Sequence, residues 1–199
     1  MRSRALHLPT VLMMVVLLVV VGCSREQQSA YPTNTELLEQ RRAAGIADCP
    51  SAPRAESTPG GLPDLTLECL GTGSSVNLAG LSNDKPMLIN FWAQWCGPCR
   101  RESPFLKAVH ARWGRKVVFL GVDASDPQPE AAIEFAKEAG WGWPQVADPD
   151  FMTRATMGIP GLPHTILVDT NGRIVHQHPG EITSEKELEE MIATHLGVG

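Results

Sequence analysis

NFWAQWCGPCRRESP, residues 90–104, places two cysteines just past the end of an apolar run. The run PMLINFWA (86–93) is nearly continuous and reads as a strand covered on both faces. Residues 97–113 read as a helix, with Pro98 in its first turn and Pro104 inside it, so a kink is expected. Cys96 therefore sits where a buried strand ends and a helix opens. The first turn of a helix carries unpaired N–H groups and about half a positive charge. A thiolate at Cys96 is stabilised there and ionises below the value of about 8.5 of a free thiol. Cys99 lies almost one turn on, within reach of Cys96 and more shielded by the helix. The two thiols then have different jobs: Cys96 forms a mixed disulfide with a partner protein, and Cys99 resolves it. A plain disulfide and half of a zinc site are the competing uses. A four-ligand zinc site needs further ligands, and the other cysteines are expected to be bonded to each other.

Working outward, LTLECL (65–70) alternates weakly and reads as a strand, GTGSS (71–75) as a turn, and VNLAGL (76–81) as a short strand or turn. KVVFLGVD (116–123) is a second buried strand. PEAAIEFAKEAG (129–140) is a helix with proline at its start and glycine at its end. DFMTRATM (150–157) is a short helix. HTILVD and RIVHQH flank Thr170-Asn171-Gly172, a hairpin signal. Ser184 and Glu187 form a capping box for a last helix that turns Leu188, Met191, Ile192, His195 and Leu196 to one side. No internal repeat is present. The order predicts an α/β fold: a central mixed sheet with helices on both faces and an N-terminal strand extension.

The chain has 199 residues, of which 43% are hydrophobic and 20% charged, an ordinary globular composition. The net charge of −5 argues against a nucleic-acid binder. Arg2 and Arg4 precede an eleven-residue apolar run, Val11–Val21, which is short for a membrane span. Residues 1–22 are expected to be an export signal, 23–60 a tether rich in Pro, Gly and Gln, and 61–199 the folded domain. ELLEQRRAA (36–44) is a candidate short helix within the tether. Val20-Val21-Gly22-Cys23 resembles the bacterial lipobox, which makes Cys23 a lipidation site; an uncleaved anchor is the alternative. Either arrangement leaves the remainder outside the cytoplasm at a membrane. Removing the signal leaves 15 basic residues against 22 acidic ones, so lipid rather than charge would hold the chain there. Setting Cys23 aside leaves Cys49, Cys69, Cys96 and Cys99, which allow three pairings. The short gap favours Cys96–Cys99, and elimination then leaves Cys49–Cys69 as a structural bond. That bond would tie the tether's end to the first strand, with a second redox pair as the alternative.

Trp95-Cys96-Gly97-Pro98-Cys99 matches the thioredoxin superfamily signature in full, and CxxC beside a βαβ pattern is a thioredoxin-like arrangement. Together with the lipobox and LPDLTLECL (62–70), it resembles the exported branch that includes TlpA, ResA and DsbE, over roughly residues 61–196. The resemblance implies a thioredoxin-like fold and a thiol–disulfide oxidoreductase active on exported proteins, apocytochrome c or copper-site proteins among them. It implies a membrane thiol donor or oxidant as the recycling partner and no dissociable cofactor; a monomer is expected. It implies a cis-proline opposite the cysteines, matched by Pro163 with Pro160 as a competitor, where an extended substrate segment can pair. It implies that Glu102 accepts or relays the proton of the resolving thiol, helped by partial burial. Thioredoxin's own buried aspartate is here Asn90, which cannot titrate. Arg100 and Arg101 add positive potential or form a solvated helix face. His164 departs from the family, which commonly has a small residue there. It either tunes Cys96 or points elsewhere. His176 and His178 share one strand face, which is either half of a metal site or an exposed surface.

Two other classes are set aside by spacing. A peroxidase of the peroxiredoxin type needs P-x-x-x-T-x-x-C, and a copper module of the Sco type uses C-x-x-x-C with a distant histidine. The direction expected for Cys96 and Cys99 is reduction, because Gly97-Pro98 is the thioredoxin dipeptide.

Overall fold

The computed structural model describes residues 35–81 and 84–198. The expected signal, Cys23 and the first part of the expected tether lie outside the described residues. In chain order the elements are α1 (Thr35–Ala43), β1 (Thr66–Cys69), β2 (Ser75–Asn77), β3 (Met87–Trp92), α2 (Gly97–Trp113), β4 (Val118–Ala124), α3 (Pro129–Ala139), β5 (Gln145–Asp148), α4 (Met152–Met157), β6 (His164–Val168), β7 (Ile174–Pro179) and α5 (Glu185–Leu196). VNLAGL splits into β2 and a one-turn 3₁₀ helix, Leu78–Gly80.

One seven-stranded sheet runs β2-β1-β5-β4-β3-β6-β7. Strands β3, β4 and β5 are parallel, and the outer strands join antiparallel. All six residues of β3 are buried, as its apolar run requires. Two successive crossovers of the same hand put α2 and α3 on one face of the sheet. There Leu106, Val109, Ile133 and Ala136 pack with Trp92, and Leu188 and Ile192 of α5 complete the layer. The opposite face buries Ile89, Phe91, Val122 and Ile166 under a thinner cover: the segment around Ala52, Leu62 and Leu78, with Phe151 and Met157 at the two ends of α4. Helices lie on both faces, unequally.

Two expectations need correction. The first is β5, which the sequence reading passed over. It is four residues long, begins and ends on the polar Gln145 and Asp148, and follows Pro144, so it lacks an apolar run. Both polar ends are buried and satisfied: Gln145 accepts the Trp92 indole N–H at 3.0 Å, and Asp148 accepts from the Met152 and Thr153 amides. The second is the domain boundary at 61. The packed body reaches back at least to α1, where Leu37 and Arg41 are fully buried, and Ile46 and Ala52 follow them into the two layers. The Arg41 guanidinium donates to the Ala47 carbonyl and pairs with Asp48. Pro, Gly and Gln in this segment suggested a tether, but Leu37, Arg41 and, just past the helix, Ile46 are enough to dock it. A Cys49–Cys69 disulfide then joins the segment to β1 across 20 residues. Among the described residues no helix is long and apolar enough to cross a membrane.

Candidate active site

Buried strand β3 ends at Trp92, and four residues later Cys96 caps α2. The turn between them is pinned from several sides. Cys96 N–H donates to the Ala93 carbonyl, Gln94 N–H donates to Asp126 Oδ2, and the Trp95 indole N–H reaches the Ser125 carbonyl at 3.0 Å. Trp95 nevertheless remains 55% exposed, an aromatic plate beside the cysteines.

Cys96 and Cys99 are joined by a disulfide. Cys96 Sγ takes the place of a capping oxygen and accepts the Cys99 N–H at 3.2 Å. This is the predicted helix-end environment, with an amide directed at the first sulfur. Cys96 keeps 3% exposure while Cys99 has none, so the second sulfur is the shielded one. The Leu162–Pro163 peptide is cis, and the Pro163 carbonyl accepts the Gly180 N–H at 3.0 Å.

One turn beyond Cys99, Glu102 is fully buried. Its Oε1 accepts from Asn90 Nδ2 at 2.9 Å, and its Oε2 accepts from the Ile182 N–H at 3.0 Å. Burial pushes the carboxyl up to about 7. The Ile182 and Asn90 donors pull the other way, and the charges of Glu181 and Glu187 add to the rise. Asn90 also donates to Thr165 Oγ1 at 3.2 Å, which joins β3, β6 and α2 in one buried polar group. The site therefore holds a disulfide, an amide-bearing helix end and a carboxyl poised near neutrality, which suits it to move a thiol proton. Asn90 and the Ile182 amide were not anticipated as partners of Glu102, nor Thr165 as the partner of Asn90. Asn90 alone carried a signal, as a polar residue inside an apolar strand.

The other expectations divide. Arg100 and Arg101 are exposed, but both are engaged: Arg100 covers Phe135 and donates to the Gln94 carbonyl, and Arg101 forks onto Glu181. His164 points away from the cysteine side. Its neighbour Thr165 faces Asn90, so the His164 ring lies on the opposite face against Phe91, with Nε2 3.1 Å from Gln177 Oε1. The exposed-face reading of His176 and His178 is corrected. Both lie on the half-buried side of β7 beneath α5, where His176 stacks on His195 and His178 sits 3.8 Å from Glu187. Among the described residues no group of three or more His, Cys, Asp or Glu side chains is placed to hold a metal.

Residues 57–192 match the Redoxin family. The chain belongs to the Redoxin family. Its relatives within it carry thiol–disulfide names. A thiol:disulfide interchange protein DsbE homolog of Paracoccus denitrificans is 38% identical over 53% of this chain and 61% of its own length. The thiol:disulfide interchange protein DsbE of Escherichia coli is 34% identical over 65% of this chain and 69% of its own length. Among solved structures, a thiol:disulfide interchange protein DsbE of Chlorobium tepidum superposes with a TM-score of 0.60. It is 29% identical and covers 71% of this chain and 100% of that one. This Redoxin chain is thus of the DsbE-like kind, with a thioredoxin-like fold, and its chemistry is thiol–disulfide exchange.

Proposed function

We propose that this chain reduces disulfides of exported proteins through Cys96 and Cys99, from a lipid anchor at Cys23. The observation that carries the reading is the arrangement at the start of α2: a Cys96–Cys99 bond, an amide directed at Cys96, and a buried carboxyl one turn below. In the reduced protein the Cys96 thiolate attacks a substrate disulfide, forming a mixed disulfide and expelling one substrate thiolate. Glu102 takes the Cys99 proton. The Cys99 thiolate then attacks Cys96 Sγ, releasing the second substrate thiolate and leaving the Cys96–Cys99 disulfide. Two electrons have passed to the substrate, and a membrane thiol donor must return them. The backbone leading into the cis Leu162–Pro163 bond supplies a pairing edge for an extended substrate segment, and exposed Trp95 covers its flank. Cys69 and Cys49 stay bonded as a structural clasp, a bond suited to an oxidising exterior. The apolar run ending at Gly22-Cys23 supports the anchor.

Cys99→Ser should accumulate mixed disulfides with substrate, and Cys96→Ser should form none. Adducts that persist without Cys96 would contradict the assignment. The direction is read from equilibrium with glutathione. A potential of about −270 mV fits a reductant, and one of about −120 mV fits an oxidant and would reverse it. Cys23→Ala should lose incorporation of labelled palmitate.

A further inference from the structure

The connection between β7 and α5 meets the site at three points. Gly180 N–H bonds the Pro163 carbonyl and Ile182 N–H bonds Glu102 Oε2, both at 3.0 Å. Between them Glu181 receives a fork from Arg101, whose Nε lies 2.9 and 3.1 Å from the two carboxylate oxygens. Arg101 directly precedes Glu102 on α2, and Glu181 directly precedes Ile182. The same two segments are therefore joined by two adjacent rungs. The outer rung is ionic and solvent-facing, and the inner one ends on the buried carboxyl.

We propose that Arg101 and Glu181 are positioning residues for proton transfer at Glu102: their forked pair holds the Ile182 N–H against the carboxylate. The proposal rests on the reading of Glu102 as the group that takes the Cys99 proton. A surface ion pair contributes little to stability. Its weight here is geometric, because an N–H held on a carboxylate favours the ionised form. Removing Arg101 acts twice in one direction. It frees the connection, which weakens the Ile182 donor, and it leaves the Glu181 charge unbalanced beside Glu102. Both changes favour the proton on Glu102. Removing Glu181 sets these effects against each other, so Arg101 is the informative position. The remaining charge facing Glu102 is Glu187 of α5, whose own neighbours are Thr183 and His178. From β3 the neutral Asn90 bonds it, and Thr165 of β6, also neutral, bonds Asn90 in turn. Lysine would supply the charge without the fork.

The test follows the Glu102 carboxyl carbon resonance through a pH titration of the oxidised full chain, with Glu102→Gln identifying the signal. Arg101→Gln should raise the midpoint by about half a pH unit. The exchanged pair, Arg101→Glu with Glu181→Arg, should bring it back. A midpoint unmoved by Arg101→Gln, or one that the exchanged pair does not restore, overturns the proposal. The exchange rate of Glu102→Gln tests the underlying reading separately: wild-type rates in that variant would remove Glu102 from the reaction, whatever Arg101 does to its titration.

Discussion

Glu102 is a carboxyl inside a core, held by one amide from β3 and one from the chain before α5. Its folded value of about 7 lies above the ordinary 4.5, with burial as the main cause. The native state therefore binds more protons than the unfolded chain between those two values. The resulting stabilisation is fully present below about 4.5 and is lost as pH rises through about 7, of order 3 kcal/mol across the window. Glu102→Gln should flatten this slope in denaturant melts at a series of pH values and slow disulfide exchange at least about tenfold. A variant that keeps the wild-type slope would contradict the buried-carboxyl picture. The two cysteines, Pro163 and Glu102 were legible from the motif and its resemblance. The partners of Glu102 were not, because residues 90, 102, 165 and 182 meet only where three elements and the β7–α5 connection come together. Sequence spacing carries no record of that meeting.

Helix α2 runs unbroken from Gly97 to Trp113 although Pro104 lies inside it. Proline removes the N–H that would bond the Arg100 carbonyl. Ser103 Oγ donates to that carbonyl at 2.9 Å and fills the gap. The side chain is nearly buried, so Ser103→Ala leaves an acceptor short of a partner. It should cost about 1 kcal/mol in chemical denaturation, with Cys96 still reactive. An unchanged midpoint would mean that the carbonyl is satisfied by water. Strong periodicity and end signals made α2, α3 and α5 readable, and the Gly140 and Ser184 caps fall where expected. Strand β5 was unreadable because its burial comes from position in the sheet: it lies between β1 and β4, so even Gln145 and Asp148 are enclosed.

Across the whole molecule the segment before residue 61 belongs to the packed body. Leu37 and Ile46 enter the layer that holds both active-site cysteines, and Ala52 bridges to Val76 of β2. The Cys49–Cys69 bond fixes this segment far from the reacting sulfurs in sequence. Replacing both Cys49 and Cys69 with alanine should lower stability by about 3 kcal/mol on the chain-entropy view, while exchange through Cys96 continues. Loss of exchange in the folded double variant would instead make the second bond part of the redox cycle. Composition concealed this docking, since Pro, Gly and Gln mark a stretch that is anchored by a few apolar contacts.

The division of labour between the two sulfurs is tested most directly by limited alkylation. Reduced wild-type protein is treated at neutral pH with less than one equivalent of iodoacetamide, and the labelled peptide is mapped by mass. The label should fall on Cys96, whose sulfur faces the helix amides at the protein's edge, and spare the enclosed Cys99. Equal labelling, or a preference for Cys99, would contradict the assignment of attacking and resolving thiols.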